Sequence, residues 1–131
     1  METAMERKKM IPYKTQTTVT KIFKFCYAHH LPGYNGKCAN LHGHNSTVEV
    51  EVRQHPGQYP TMVLDFRELK KAGDALFEKL DHKDLNQLMQ RPTAESICEY
   101  IMAELRFAEF DVIRVRVYEA DDSFAEIKIV E

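Results

Sequence analysis

Residues 42–53, HGHNSTVEVEVR, alternate with the period of an extended strand. Side chains two apart on a strand share a face, so His42, His44, Ser46, Val48, Val50 and Val52 form one row and Glu49, Glu51 and Arg53 the other. The valines mark the first row as the core side and the charges mark the second as the wet side, as in an antiparallel sheet covered on one face only.

Upstream, Phe23, Phe25, Tyr27 and His29 fall on one face of a second run, and LPGYNGKCANL at 31–41, rich in Pro, Gly and Asn, reads as a long hairpin connection between the two. Downstream of a Pro/Gly stretch from Pro56 to Pro60, the segment 62–80, MVLDFRELKKAGDALFEKL, repeats Phe66, Leu69, Leu76, Phe77 and Leu80 at helical spacing, with Asp65 and Glu68 in a capping-box pattern at its start. A second helix is predicted from Ala94 to Leu105, capped by Thr93, with Ile97, Cys98, Ile101 and Leu105 as its buried stripe. Ile113, Val115, Val117 and Glu119 then share a strand face, and SFAEIKIV at 123–130 can pair with that strand as a hairpin. The order ββααββ predicts an α+β fold, a four-stranded antiparallel sheet with two helices on one face.

A length of 131 residues suits one domain. Residues 1–16 lack periodicity and read as an N-terminal extension to a single domain over 17–131. The net charge of -2, with both signs mixed along the chain, argues against nucleic acid as a partner, since a phosphate backbone demands a basic stripe. Cys26, Cys38 and Cys98 are odd in number and widely spaced, unlike a disulfide framework, so a cytoplasmic location is expected. No segment approaches the roughly 20 apolar residues of a membrane span.

His42 and His44 point the same way, and His29 ends the core-facing row of the neighbouring strand. If the two strands pair antiparallel through the connection, the three rings converge. Three neutral imidazoles with an open fourth position describe a catalytic zinc site, whereas closed structural sites take four protein ligands. The alternative is an H-x-H pattern of chance or local packing. Gly43 between the histidines would let substrate or backbone come close. His30 and His55 lack the geometry and read as surface residues.

Cys38, four residues before His42, is either a thiol activated by a nearby cation or an ordinary loop cysteine. Asp81-His82 follows the first helix: a carboxylate beside an imidazole fixes its tautomer and raises its basicity, or else the histidine merely ends the helix among solvated neighbours. Glu119 carries a carboxylate on an apolar face, so it either meets a cationic or N–H-rich ligand or reaches solvent at the strand end. Glu95, in the first turn of its helix, suits the helix dipole. Cys98 reads as core and Cys26 as structural.

Taken in order, FKFCYAHHLP, CANLHGH, MVLDFRELK, LDHKDLN, PTAESI and VYEA, covering about Lys24 to Ala120, resemble the 6-pyruvoyltetrahydropterin synthase and 6-carboxytetrahydropterin synthase family. The combination of AHxL, CxxxHGH, LDHxxLN and PTxE is specific where no single piece is. The resemblance implies a tunnelling fold, assembled as a trimeric barrel with two trimers stacked and active sites between subunits. It implies zinc on His29, His42 and His44, a catalytic set of Cys38, Asp81 and His82, and Glu119 anchoring the pterin ring. A cysteine followed by three residues and HGH is similar to the 6-carboxytetrahydropterin synthases of queuosine biosynthesis. The implied reaction converts 7,8-dihydroneopterin triphosphate to 6-carboxytetrahydropterin, acetaldehyde and triphosphate. A pyruvoyl-forming synthase, a side-chain aldolase or a non-catalytic zinc- and pterin-binding paralogue is the alternative.

Three positions depart from the family pattern: His30 stands where Arg is common, Cys26 and Tyr27 replace smaller residues, and Ala120 follows Glu119 where Thr is common. If the resemblance misleads, a three-histidine zinc hydrolase is the remaining reading.

Overall fold

The computed structural model describes residues 2–53 and 58–131, so His55 and the Pro56 end of the Pro/Gly stretch lie outside the described residues. The elements run α1 (Ala4–Lys8), β1 (Val19–His29), β2 (His42–Val52), α2 (Phe66–Glu78), β3 (Lys83–Asp84), α3 (Ala94–Phe107), β4 (Val112–Ala120) and β5 (Ser123–Lys128), with single 3-10 turns at Lys37–Ala39 and Leu85–Gln87.

β1 and β2 pair antiparallel over their whole length, from Val19 opposite Val52 to His29 opposite His42. That register puts Phe23, Phe25 and Tyr27 on the same face as Val48 and Val50, and β4 adds Val115 and Val117 to it. α2 and α3 cover this face with Leu69, Leu76, Phe77, Ile97, Ile101 and Leu105. The α+β layout with two helices on one side therefore stands. The sheet has five strands and not four, in the order β3-β1-β2-β4-β5, because Lys83–Asp84 adds a two-residue parallel strand to the free edge of β1. Two residues carry too little periodicity to be read from sequence.

Several local expectations shift. Phe66 is 48% exposed and leaves the predicted stripe of α2. Asp65 caps α2 by accepting from Arg67 N, while the Glu68 carboxylate accepts from Gln58 Nε2. α1, inside the stretch expected to be formless, is held by a capping box between Thr3 and Glu6, although all of it is exposed. A register shift in the β2–β4 pairing at Glu51/Val52 buries Val112 and leaves Ile113 half-buried, so the simple alternation of β4 starts at Val115.

Gly73 of α2 makes room for β1: a Cβ there would come within 2.2 Å of the Phe23 ring. The ring stacks on Phe77 at 5.0 Å between centroids, and Phe77 also meets Phe25 at 5.1 Å. On the uncovered face Arg114 donates to Glu49, Glu51 and Glu126, and Arg116 donates to Glu126 and lies over the Phe124 ring. No helix among the described residues is long and apolar enough to cross a membrane.

Candidate metal centre and its surroundings

β1 and β2 both end at the 30–41 connection, so the last core-facing residue of one, His29, sits opposite the first of the other, His42, with His44 one step further in. The connection closes on itself through Leu31 N–H donating to Cys38 O at 2.7 Å, and Gly33 takes the turn with φ +77°. The three ring centroids are 4.5 to 5.1 Å apart. His29 is almost fully buried, while His42 and His44 are half-buried.

A main-chain carbonyl faces Nδ1 of each ring. His29 Nδ1 lies 2.6 Å from Pro92 O, His42 Nδ1 2.8 Å from Asn40 O, and His44 Nδ1 3.1 Å from Glu119 O. A carbonyl oxygen only accepts, so each Nδ1 carries the hydrogen and each Nε2 is left with a lone pair. The Nε2 atoms of His29 and His44 are nevertheless 3.1 Å apart. Two bare lone pairs at that distance repel unless a cation lies between them. Zinc–nitrogen bonds of about 2.0–2.1 Å at tetrahedral angles would set ligand nitrogens about 3.3 Å apart, so the donor set fits a metal ion of that size. Burial, only partly opposed by the Pro92 carbonyl, holds the His29 pKa below its ordinary value, which keeps the ring in its ligating form.

Glu119 joins this group. Its Oε2 lies 3.5 Å from His44 Nε2, and its carboxylate opens into a cleft of about 230 Å³ that Glu95, Phe124 and Ser123 also line. Tyr27 packs edge-on against His29 at 5.1 Å. Its hydroxyl is buried without a hydrogen-bond partner among the described residues, and that burial raises its pKa, with Glu119 adding to the effect. Gly43 keeps the strand close: a Cβ would stand 3.1 Å from Tyr27 O.

Asp81 and His82 form a second group. His82 Nδ1 lies 2.9 Å from Asp81 Oδ2, and Asp81 Oδ1 accepts from Cys26 N at 2.9 Å. The Cys26 N–H, followed by His82, holds the Asp81 carboxyl below its ordinary range. His82 adopts φ +58°, a conformation a non-glycine residue takes at a cost, and its N–H donates to Cys26 O at 2.6 Å. Asn86 of the same segment grips the start of the connection, accepting from His30 N and donating to His30 O.

The predicted residues therefore fall into two places. His29, His42, His44 and Glu119 come together. Asp81 and His82 come together with Cys26, whereas Cys38 sits exposed on the 3-10 turn of the connection and belongs to neither cluster of metal-type donors among the described residues. Sequence reasoning missed the carbonyls of Pro92 and Asn40, which no side-chain pattern announces, and the position of Glu95 beside Glu119, for which the PTxE motif was the available signal. Cys98 is core as expected; burial pushes its thiol up to about 11.

The chain matches the sequence profile of the 6-pyruvoyl tetrahydropterin synthase family over residues 18–129. It is 30% identical over 135 residues to a 6-carboxy-5,6,7,8-tetrahydropterin synthase of Haemophilus influenzae, covering 82% of this chain and 96% of that one. It is 40% identical over 67 residues to a dihydroneopterin monophosphate aldolase of Pyrococcus furiosus, covering 50% and 56% of the two chains. In fold it is similar to the solved 6-pyruvoyl tetrahydropterin synthase of Caenorhabditis elegans, with TM-score 0.76 and 23% identity over 88% of this chain and 97% of that one.

Proposed function

Because the chain belongs to the 6-pyruvoyl tetrahydropterin synthase family and is an enzyme of its lyase kind, we propose that it converts 7,8-dihydroneopterin triphosphate and one water to 6-carboxytetrahydropterin, acetaldehyde and triphosphate. The observation that carries the reading is the convergence of three Nδ1-protonated imidazoles beside a carboxylate, Glu119, at the mouth of a cleft.

His29, His42 and His44 would hold zinc through Nε2. Bound there, zinc supplies Lewis acidity toward the hydroxyls of the substrate side chain and lowers their pKa without redox chemistry. Glu119 accepts two parallel N–H bonds from the aminopyrimidinone edge, which orients the ring so that its side chain reaches the metal. Asp81 holds the Nδ1–H of His82, leaving Nε2 free to take a proton from the side chain and return it. Cys38, on the 3-10 turn of the connection, is the second proton carrier.

The separation of Cys38 from the Asp81–His82 pair within one chain supports active sites completed between copies. The long outer stretch of β1 and the whole outer side of β5 are sheet edges through which a homo-oligomer, a trimer or a pair of trimers, would assemble. The carboxy product, and with it a place in queuosine-type deazapurine synthesis, is favoured by the three residues between Cys38 and His42.

The test is incubation of the zinc-loaded protein with 7,8-dihydroneopterin triphosphate, with pterins resolved by mass and acetaldehyde assayed. Carboxytetrahydropterin with acetaldehyde is the expected result. A pyruvoyl product, or a hydroxymethyl pterin with a glycolaldehyde that keeps the phosphate chain, would overturn it in favour of the sister synthase or of an aldolase activity like that named for the Pyrococcus relative.

A further inference from the structure

Cys26 does not belong to the machinery proposed above, yet it is bound to it. Its Sγ, a carboxylate oxygen of Asp81 and an imidazole nitrogen of His82 all lie within 4.8 Å of one another. Main-chain bonds hold the three together: Cys26 N–H donates to Asp81 Oδ1, and His82 N–H donates back to Cys26 O. The Cys26 side chain lies on the face of β1 opposite the imidazole triad, since Cys26 alternates with Tyr27 and His29. Sγ donates to Asn45 Oδ1 at 2.9 Å from the adjacent strand, and an open cleft of about 380 Å³ gives solvent access to Cys26, Asn45 and His82.

We propose that Cys26, Asp81 and His82 form a second metal site for a thiophilic divalent cation, with one sulfur, one nitrogen and one oxygen donor, distinct from the all-nitrogen triad. Zinc and cobalt take such mixed sets at about 2.0–2.3 Å, and rotation of the half-buried Cys26 and the exposed His82 closes the donors to that range. Binding releases one proton, that of the Cys26 thiol, to solvent. Asn45 can then turn its amide so that N–H faces the thiolate, while Cys26 N–H continues to orient Asp81. The positive φ of His82 fits this use, because it fixes the ring beside Asp81 at a conformational cost. If Asp81 and His82 move protons as proposed above, a cation here takes both out of service, and metal beyond one equivalent inhibits; that consequence rests on the proposed function, whereas the site does not.

The experiment is a cobalt titration of the metal-free full-length protein, followed by absorption spectroscopy and metal analysis. Two equivalents per chain are expected, one of them with a thiolate-to-cobalt charge-transfer band in the near ultraviolet. Cys26→Ser should abolish the band and leave one equivalent, His44→Ala should keep the band and lose the other equivalent, and Cys38→Ser should keep both. Circular dichroism confirms that Cys26→Ser folds, with Cys26→Ala as the second variant. A single equivalent without the band, or a band that survives Cys26→Ser and disappears in Cys38→Ser, overturns the site. If the band behaves as expected but excess zinc leaves turnover unchanged, the site stands and the role of Asp81 and His82 in proton transfer fails.

Discussion

His29 Nε2 faces His44 Nε2 at 3.1 Å, and neither nitrogen carries a proton to share, because both Nδ1–H groups are directed at main-chain carbonyls, those of Pro92 and Glu119. A cation between the two nitrogens would relieve the repulsion of their lone pairs. Replacing either residue, or His42, by Ala should lower zinc affinity by more than about tenfold. Equilibrium dialysis with metal analysis checks this, and chelation of the wild type should lower its melting temperature reversibly.

Acid should act on the same group. The folded protein holds His29 below its ordinary pKa of 6.5, so between the two values the unfolded chain binds the extra proton. The stabilising contribution is thus fully present above about pH 6.5 and is lost as pH falls below it. The melting temperature of the metal-free protein, followed from about pH 8 to 5, should decline in that lower range. A flat profile would show that His29 titrates alike in both states.

Glu119→Ala should weaken binding of a pterin product analogue by about 10- to 100-fold, the worth of a charge-assisted pair of hydrogen bonds, with zinc content unchanged. Isothermal titration on the zinc-loaded protein measures both. Unaltered affinity would remove Glu119 from the ring pocket.

Cys38→Ala and His82→Ala should each reduce turnover by about 10²- to 10⁴-fold with zinc retained in the triad. If the site is shared between copies, co-refolding the two inactive variants should restore part of the activity, since some interfaces then receive both intact groups. Absence of any rescue in demonstrably mixed oligomers would count against a shared site.

Gly73→Ala should destabilise the protein by about 1–3 kcal/mol, because the new methyl meets the Phe23 ring at 2.2 Å in a packed core. Adding Phe23→Leu should recover part of the loss, a non-additivity that urea unfolding of the single and double variants detects.

The period-2 rows of β1 and β2 were enough to foresee that His29, His42 and His44 converge, because strand geometry alone fixes which side chains share a face. The same logic placed Glu119 on the inner face of β4. It could not foresee that Pro92, Asn40 and Glu119 would present carbonyls to the three rings, since those contacts depend on where α3 and the connection come to rest. Nor could it foresee β3, or the grip of Asp81 on Cys26 N: a two-residue strand has no period, and a main-chain donor has no sequence signature. The Asp65–Glu68 pattern predicted a reciprocal cap that gave way to a bond from Gln58, whereas Thr3–Glu6, the same pattern in a stretch without periodicity, formed one.

On the proposed role of its ring, the left-handed backbone of His82 sets stability against activity at one position. Glycine would adopt φ +58° without the steric cost that an imidazole-bearing residue incurs, so His82→Gly would relieve strain of the order of 1 kcal/mol while deleting the ring. If His82 moves protons as proposed, a selection for heat resistance alone would favour that change at the expense of turnover, whereas a selection for turnover would retain the less comfortable residue. Thermal robustness is therefore a misleading guide to fitness in variants of this loop.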